Sequence, residues 1–456
     1  MSDPSAAPGF FGNLRSLARL WRDIAAAARI PGTTPGLHLE AGSAEALRQQ
    51  MRDCLARRGG EVSARARAAA LGRTYLALDT AGRERFLHIL ADEFNADDAV
   101  IRPLAERLLR GGGEEERRQL RQALEPPRVR LLTQFNALPE GVKFLVDLRA
   151  ELLGRRDRSL SALELDLKGV LAGWFDIGFL ELKRITWESS ASMLEKLMAY
   201  EAVHEIRGWA DLKNRLEADR RCFAYFHPRM PEEPLIFVEI ALVKGMADNV
   251  HRLLDETAPV EDARAADTAI FYSISNCQRG LAGISLGNFL IKRVVDSLRT
   301  ELPQLTTFAT LSPIPGFRAW LDRSIEAEGL ALLTPPEREA LAQGLAPVLK
   351  AGSWLHDPFL MEAVKGPLLR LCAHYLIEAR GAGGRALDPV AHFHLVNGAR
   401  MERLNWAADL SIKGVNQSAG LMINYLYRLD EIEENHEAYT GDGKVKTSPA
   451  LSRLLR

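Results

Sequence analysis

The chain has 456 residues, 47 % of them apolar and 26 % charged, a globular balance that excludes an extended disordered chain. Its 59 Lys and Arg set against 60 Asp and Glu give a formal net charge of -1, which excludes the basic excess of a general nucleic-acid binder. No run of about 18 uncharged apolar residues occurs, so no membrane span is expected.

Residues 9–30 mix apolar positions with Arg15, Arg19, Arg22 and Arg29, as a transit peptide does. The acidic Asp3 and Asp23, and the abundance of arginine elsewhere, favour an ordinary amphipathic helix at the start of a cytoplasmic protein. Cys54, Cys222, Cys277 and Cys372 are scattered without a CxxC pair, so neither a disulfide framework nor a zinc site is expected. That usage fits a reduced, cytoplasmic setting.

Residues 1–178 read as helix after helix. Ser43 is an N-cap for a run ending at Gly59-Gly60. A helix after Thr80 lines Phe86, Leu90 and Phe94 along one face. Gly111-Gly112-Gly113 stops a third and Pro126-Pro127 a fourth. Leu145, Leu148, Leu152 and Leu153 form an apolar stripe at helical spacing. A helical support or assembly domain is expected.

Strands interleave with helices from residue 179 onward. A helix over 191–203 leads into a strand at 222–227, an exposed proline-rich loop at 228–234 and a strand at 235–243 with period-two apolar positions. A helix near 247–254, a strand at 269–275, a glycine-rich loop and a helix from Asn288 follow. A fourth strand, 306–311, runs into Ser312-Pro313-Ile314-Pro315-Gly316. Helices fill 319–378, and the last strand is 421–429. This order predicts an α+β or mixed α/β sheet domain over 179–456, behind an all-helical domain over 1–178.

Three places offer chemistry. The strand–loop–helix passage at 275–288 lets backbone approach a ligand and puts a helix N-terminus behind it, an arrangement suited to a pyrophosphate. Arg279, Lys292 and Arg293 add charge nearby. The glycine spacing is neither a Rossmann fingerprint nor a Walker loop. Ser312 ends a strand just where prolines leave the sheet, although on pattern alone a turn serine is the commoner role. Asp388-Pro389 starts a short helix with His394 in its last turn, where the helix dipole favours a protonated imidazole. His392 points to a different side, and no metal-ligand cluster is present. Tyr425 and Tyr427 share a strand face, a spacing seen more often in packing than in catalysis.

Taken in order, four strings resemble the malonyl-CoA decarboxylase family: AIFYSISNCQRGLAGISLGNFLIKRVV (269–295), TLSPIPGF (310–317), FHLVNGARMERLNWAADLSIK (393–413) and GLMINYLY (420–427). Upstream, KFLVDLRAELL (143–153) and AVHEIRGW (202–209) look like the same family. The resemblance implies a helical N-terminal domain used in self-association and a catalytic domain like the GCN5-related N-acetyltransferase fold. It implies CoA held by a loop of Ala282, Gly283, Ile284, Ser285, Leu286, Gly287 and Asn288. Ser285 and Gly287 stand at the two glycine-like positions, and Ser285 also replaces a family glutamate. Catalysis is implied for Ser312, His394 and Tyr427. The reaction implied is malonyl-CoA to acetyl-CoA and carbon dioxide through a thioester enolate, with no cofactor beyond the CoA of the substrate and no metal. A CoA-dependent acyltransferase and a non-catalytic CoA-binding scaffold are the alternatives. Neither nucleic acid nor membrane is expected as a partner.

Overall fold

The structure is a computed structural model that describes residues 14–27, 43–56, 60–284, 286, 290–326, 335 and 353–455. The chain divides into two units. One comprises Met1–Glu181, Phe226–Leu235 and Gln278–Leu286, the other Leu182–Tyr225, Ile236–Cys277 and Gly287–Arg456.

The first unit is mainly helical because its local signals act where expected. Ser43 caps the helix Ala44–Leu55, its Oγ accepting from Ala46 N at 3.3 Å. Asp79 does the same for Thr80–Asp92, which buries Phe86, Leu87 and Leu90. Between Asp98–Leu109 and Glu114–Leu124 the three glycines make the turn. Glu114–Leu124 ends just before Pro126-Pro127 as expected, and Pro127 also opens the helix Pro127–Thr133, since proline at a first helical position loses no hydrogen bond. An aromatic cluster of Trp21, Tyr75, Phe86, Phe135 and Phe144 forms the core. The helix Gly141–Arg155 crosses it, burying Leu145, Leu148 and Leu152. Of the expected 9–30 helix, Leu14–Ala27 is described and buries Trp21.

Eight strands build the sheet: β1 Glu181–Ile185, β2 Arg220–His227, β3 Met230–Val243, β4 Thr268–Asn276, β5 Thr307–Thr310, β6 Ser312–Pro313, β7 Arg400–Asn405 and β8 Met422–Leu426. The order is β1-β2-β3-β4-β5-β8-β6, with β7 also paired to β8. β3 and β4 are antiparallel and β4 and β5 parallel, so the sheet is mixed as predicted. A bulge interrupts the β3–β4 register between Glu239 and Ile240, where Ser273 and Phe271 are the partners. The expected proline loop is shorter: β3 starts at Met230, leaving only Pro228 and Arg229 in the turn. β1, β6 and β7 were not predicted, and in β6 the pairing continues through Ser312 and Pro313, where the prolines were expected to leave the sheet. The expected helix from Asn288 is observed as Leu290–Glu301, with Leu290, Ile291, Val294, Val295 and Leu298 buried. Within 319–378 the described helices are Phe317–Glu326 and Pro358–Ile377. No helix among the described residues is long and apolar enough to cross a membrane.

Candidate active site

Thr310 ends β5 and Ser312 opens β6 two residues later, so both side chains leave the same face. The pairing ends after Pro313: Ser312 opposes Ile423 and Pro313 opposes Met422 of β8. The same strand β8 and its exit carry Tyr425 and Tyr427, and Tyr427 N donates to Phe308 O at 2.8 Å. The short helix Pro389–Val396 supplies His394.

Asp388 fixes that helix to the Ser312 segment. Its Oδ1 accepts from Val390 N and Ala391 N at 2.9 and 3.0 Å, as the N-cap reading requires. Its Oδ2 accepts from Gly316 N at 3.2 Å and from Tyr375 Oη at 3.4 Å. One carboxylate therefore ties together the two chain segments that bear the serine and the histidine. No side chain would fit at Gly316, where a Cβ would stand 2.1 Å from Tyr375 Oη.

The three predicted side chains meet in one line. His394 Nε2 lies 3.1 Å from Ser312 Oγ, across 82 residues of sequence, and His394 Nδ1 lies 2.7 Å from Tyr427 Oη. Ser312 Oγ also donates to Thr310 Oγ1 at 2.8 Å, and Thr310 Oγ1 accepts from Tyr425 N at 3.1 Å. The Tyr425 ring stacks on the imidazole at 4.3 Å between centroids. All five residues are buried. His392 is elsewhere engaged, with Nδ1 2.8 Å from Tyr439 Oη, as the two-residue spacing predicts.

The charge state of His394 reverses the expectation from the helix dipole. Burial pushes the imidazole down to about 3, so it is neutral at neutral pH. The dipole at a helix C-terminus contributes at most about 2 kcal/mol, whereas full burial shifts a histidine by several units. Among the described residues both ring nitrogens meet hydroxyls, and no carboxylate offsets that loss. Burial also raises Tyr427 well above its ordinary value, keeping the phenol protonated.

Of the expected CoA loop, Ala282, Gly283, Ile284 and Leu286 are described, while Ser285, Gly287 and Asn288 lie outside the described residues. Arg279–Leu281 forms a 3-10 turn. Ala282 N donates to Arg279 O and Ile284 N to Leu281 O, so those two amides serve the loop itself. Gly283 has φ +70°, the left-handed region that a side chain strains, and Lys168 Nζ is 3.4 Å from where its Cβ would be. Gly280 packs directly on the helix Gly141–Arg155, where a Cβ would stand 1.8 Å from Val146 O. Arg149 donates to Gly280 O at 2.6 Å and pairs with Glu164 at 2.6 Å. Of the three expected basic groups, Lys292 pairs with Glu433 at 2.8 Å and Arg293 covers the Tyr225 ring at 5.7 Å.

Sequence reasoning missed Thr310, the stacking role of Tyr425 and Lys168. The two-residue spacing of Thr310 and Ser312 in a strand was the available signal for the first. Among the described residues no group of three or more His, Cys, Asp or Glu is placed to hold a metal ion.

Comparison with known proteins bears on most of the chain. The profile of the malonyl-CoA decarboxylase C-terminal domain matches residues 178–456, and that of the N-terminal domain matches residues 94–175. The mitochondrial malonyl-CoA decarboxylase of Mus musculus is 40 % identical over 361 residues, 74 % of this chain and 73 % of the mouse protein. That of Anser anser anser is 38 % identical over 416 residues, 84 % of this chain and 82 % of its own length. The crystal structure of malonyl-CoA decarboxylase from Rhodopseudomonas palustris superposes with a TM-score of 0.86 at 42 % identity, covering 90 % of this chain and 99 % of that one. The structure from Agrobacterium vitis gives 0.84 at 43 % identity over the same shares.

These relatives correct one expectation. The curated proteins are mitochondrial, which overturns the cytoplasmic placement. Unpaired buried thiols report reducing surroundings and do not tell one reducing compartment from another. The helical first part, the mixed sheet behind it and the conserved length of the match agree in one conclusion: the chain belongs to the malonyl-CoA decarboxylase family.

Proposed function

We propose that this protein decarboxylates malonyl-CoA to acetyl-CoA and carbon dioxide through a thioester enolate, using Ser312, His394 and Tyr427. The observation that carries the reading is the buried hydroxyl–imidazole–phenol line, assembled from three segments distant in sequence. Similarity to enzymes named for this reaction over most of the chain supports the substrate.

Breaking the bond between the α-carbon and the carboxylate leaves its electron pair on the α-carbon, and the thioester carbonyl accepts it as an enolate. Removing the carboxylate from water, into a buried site whose described groups at the ring are hydroxyls, favours its loss as neutral carbon dioxide. A thioester α-carbanion is a stronger base even than imidazolate, so a neutral ring N–H, reprotonated at its other nitrogen as it gives up its proton, is acid enough to quench it. One proton leaves His394 at Nε2, toward Ser312 and the α-carbon. One enters at Nδ1 from the Tyr427 hydroxyl, which solvent later restores. The ring stays neutral throughout, consistent with a site that cannot hold an imidazolium. With substrate bound, the Ser312 hydroxyl turns from Thr310, its partner in the resting site, to direct the carboxylate and pass the proton. The loop from Ala282 to Asn288 grips the CoA pyrophosphate, and Lys168, beside Gly283, adds a cation to it.

We assign catalysis and CoA binding to residues 179–456, with Lys168 the one CoA contact from residues 1–178, which otherwise serve support and self-association. The decisive assay is carbon dioxide release from malonyl-CoA with no acyl acceptor added. Release at a rate that His394→Ala abolishes supports the reading. CoA binding without release, or acyl transfer only when an amine is supplied, would replace it with the scaffold or the acyltransferase.

A further inference from the structure

We infer that Thr310 is a positioning residue that sets the tautomer of His394. The inference rests on the catalytic role proposed for His394 and concerns how that ring is held ready.

A neutral imidazole carries one N–H and one bare nitrogen, and its neighbours decide which is which. Here both neighbours are hydroxyls, Ser312 at Nε2 and Tyr427 at Nδ1, and each can donate or accept. Two arrangements therefore satisfy the line equally. In one, Tyr427 donates to Nδ1 and Nε2–H donates to Ser312. In the other, Ser312 donates to Nε2 and Nδ1–H donates to Tyr427. Only the first leaves a proton on the nitrogen that faces Ser312.

Thr310 breaks the tie from outside the line. Ser312 Oγ donates its single proton to Thr310 Oγ1 at 2.8 Å. That proton is then unavailable to Nε2, and the serine oxygen presents a lone pair to the ring. Nε2 must carry the hydrogen for the 3.1 Å contact to be attractive, and Nδ1 accepts from Tyr427. Thr310 is itself oriented by Tyr425 N, which donates to its Oγ1 at 3.1 Å, and it is fully buried. Tyr425 thus holds the ring by stacking on it and holds the tautomer through its own backbone. A carboxylate commonly sets a histidine tautomer in this way. A threonine does it without adding a charge that would turn the ring into an imidazolium.

The test uses the full chain labelled with 15N-histidine. The His394 signal among the ten histidines is assigned by its loss in His394→Gln. Long-range proton–nitrogen correlation then reads which ring nitrogen is protonated. The expected result is Nε2–H in the wild type, loss of that preference in Thr310→Val, with Nδ1–H appearing beside Nε2–H, and return to Nε2–H alone in Thr310→Ser. The same series should lower kcat about 100-fold in the valine variant with KM within about twofold, and recover most of it in the serine variant. Tyr427→Phe should keep Nε2–H, because the tautomer is set from the serine side. This variant and the wild type decide the matter even where Thr310→Val fails to fold. An Nδ1–H wild type, an unchanged tautomer in folded Thr310→Val, or a switch in Tyr427→Phe would each overturn the assignment. Full turnover by His394→Gln would instead remove the ring from catalysis while leaving the tautomer result standing.

Discussion

Two buried polar clusters share the sheet unit, and they handle charge in opposite ways. Around His394 the described side-chain hydrogen-bond partners are hydroxyls, and the imidazole is driven neutral. Around Arg215 the partners are acidic side chains, Asp211 at 2.8 Å as the ionised carboxylate and the Glu239 carboxyl at 3.0 Å, with His204 O and Glu205 O completing the fork. Nearby, Glu201 accepts from Ser273 and Ser275 and from two backbone amides. Burial, reinforced by Glu201, pushes Glu239 up to about 8 against the pull of Arg215. Burial works against Arg215 too, but Glu239 and Asp211 outweigh it and raise it further. The lesson is that burial alone yields a neutral, proton-mobile line, whereas burial with counter-charge yields a brace. The brace lies along the bulged β3–β4 pair, at the Glu239–Ser273 rung.

Substitutions in the two clusters should therefore fail differently. The largest effect is expected at His394→Gln: turnover falls by roughly 100- to 10,000-fold, with the melting temperature little changed. A variant that melts early and turns over normally would make the catalytic line a brace as well. Next is Arg215→Ala, which strands Asp211 and Glu239. It should cost about 3 to 5 kcal/mol in urea unfolding while the folded fraction keeps its kcat. Loss of kcat without loss of stability would contradict the division. Ser275→Ala removes one donor to Glu201 and should cost about 1 to 3 kcal/mol, again without a rate effect. The smallest and finest distinction is in pH dependence. His394 binds its proton at about 3 when folded and near 6.5 when unfolded, so its contribution is present above 6.5 and lost as pH falls from there toward 3. Glu239 runs the other way: its raised value favours the folded state at low pH, a contribution lost as pH rises from about 4.5 through 8. Unfolding free energies measured from pH 4 to 7 should fall less steeply toward acid in His394→Gln than in the wild type. Parallel curves would mean that the ring is not held neutral.

Much of this architecture was legible in the sequence, for local reasons. Ser43 and Asp388 cap where their side chains can reach, and the apolar stripe over 145–152 is a core face. The misses have equally physical causes. β1 is mostly exposed and so lacks an apolar alternation. β7 reads Arg-Met-Glu-Arg-Leu-Asn, too charged for an ordinary strand. It is tolerated because Arg403 donates to Asn424 and to the carbonyls of Met246 and Ala247. The prolines at 231 and 234 suggested a loop, yet β3 begins at Met230. The trio itself could not be found by spacing, since Ser312 and His394 stand 82 residues apart, and only family resemblance named them together. Even then the sign of the histidine's charge was misread, because a helix end is visible in sequence and a desolvated ring is not.

The packing of Gly280 against Val146, secured by Arg149, bears on how the polypeptide is made. The helical unit includes Gln278–Leu286, about 105 residues downstream of Glu181. During synthesis its helices leave the ribosome first but lack this segment until translation has passed it, roughly 5 to 20 s later at common elongation rates. A gene cut at residue 178 would release a bundle without two of its own pieces, so expression of the two halves as separate products is expected to yield an aggregation-prone N-terminal fragment rather than an autonomous module.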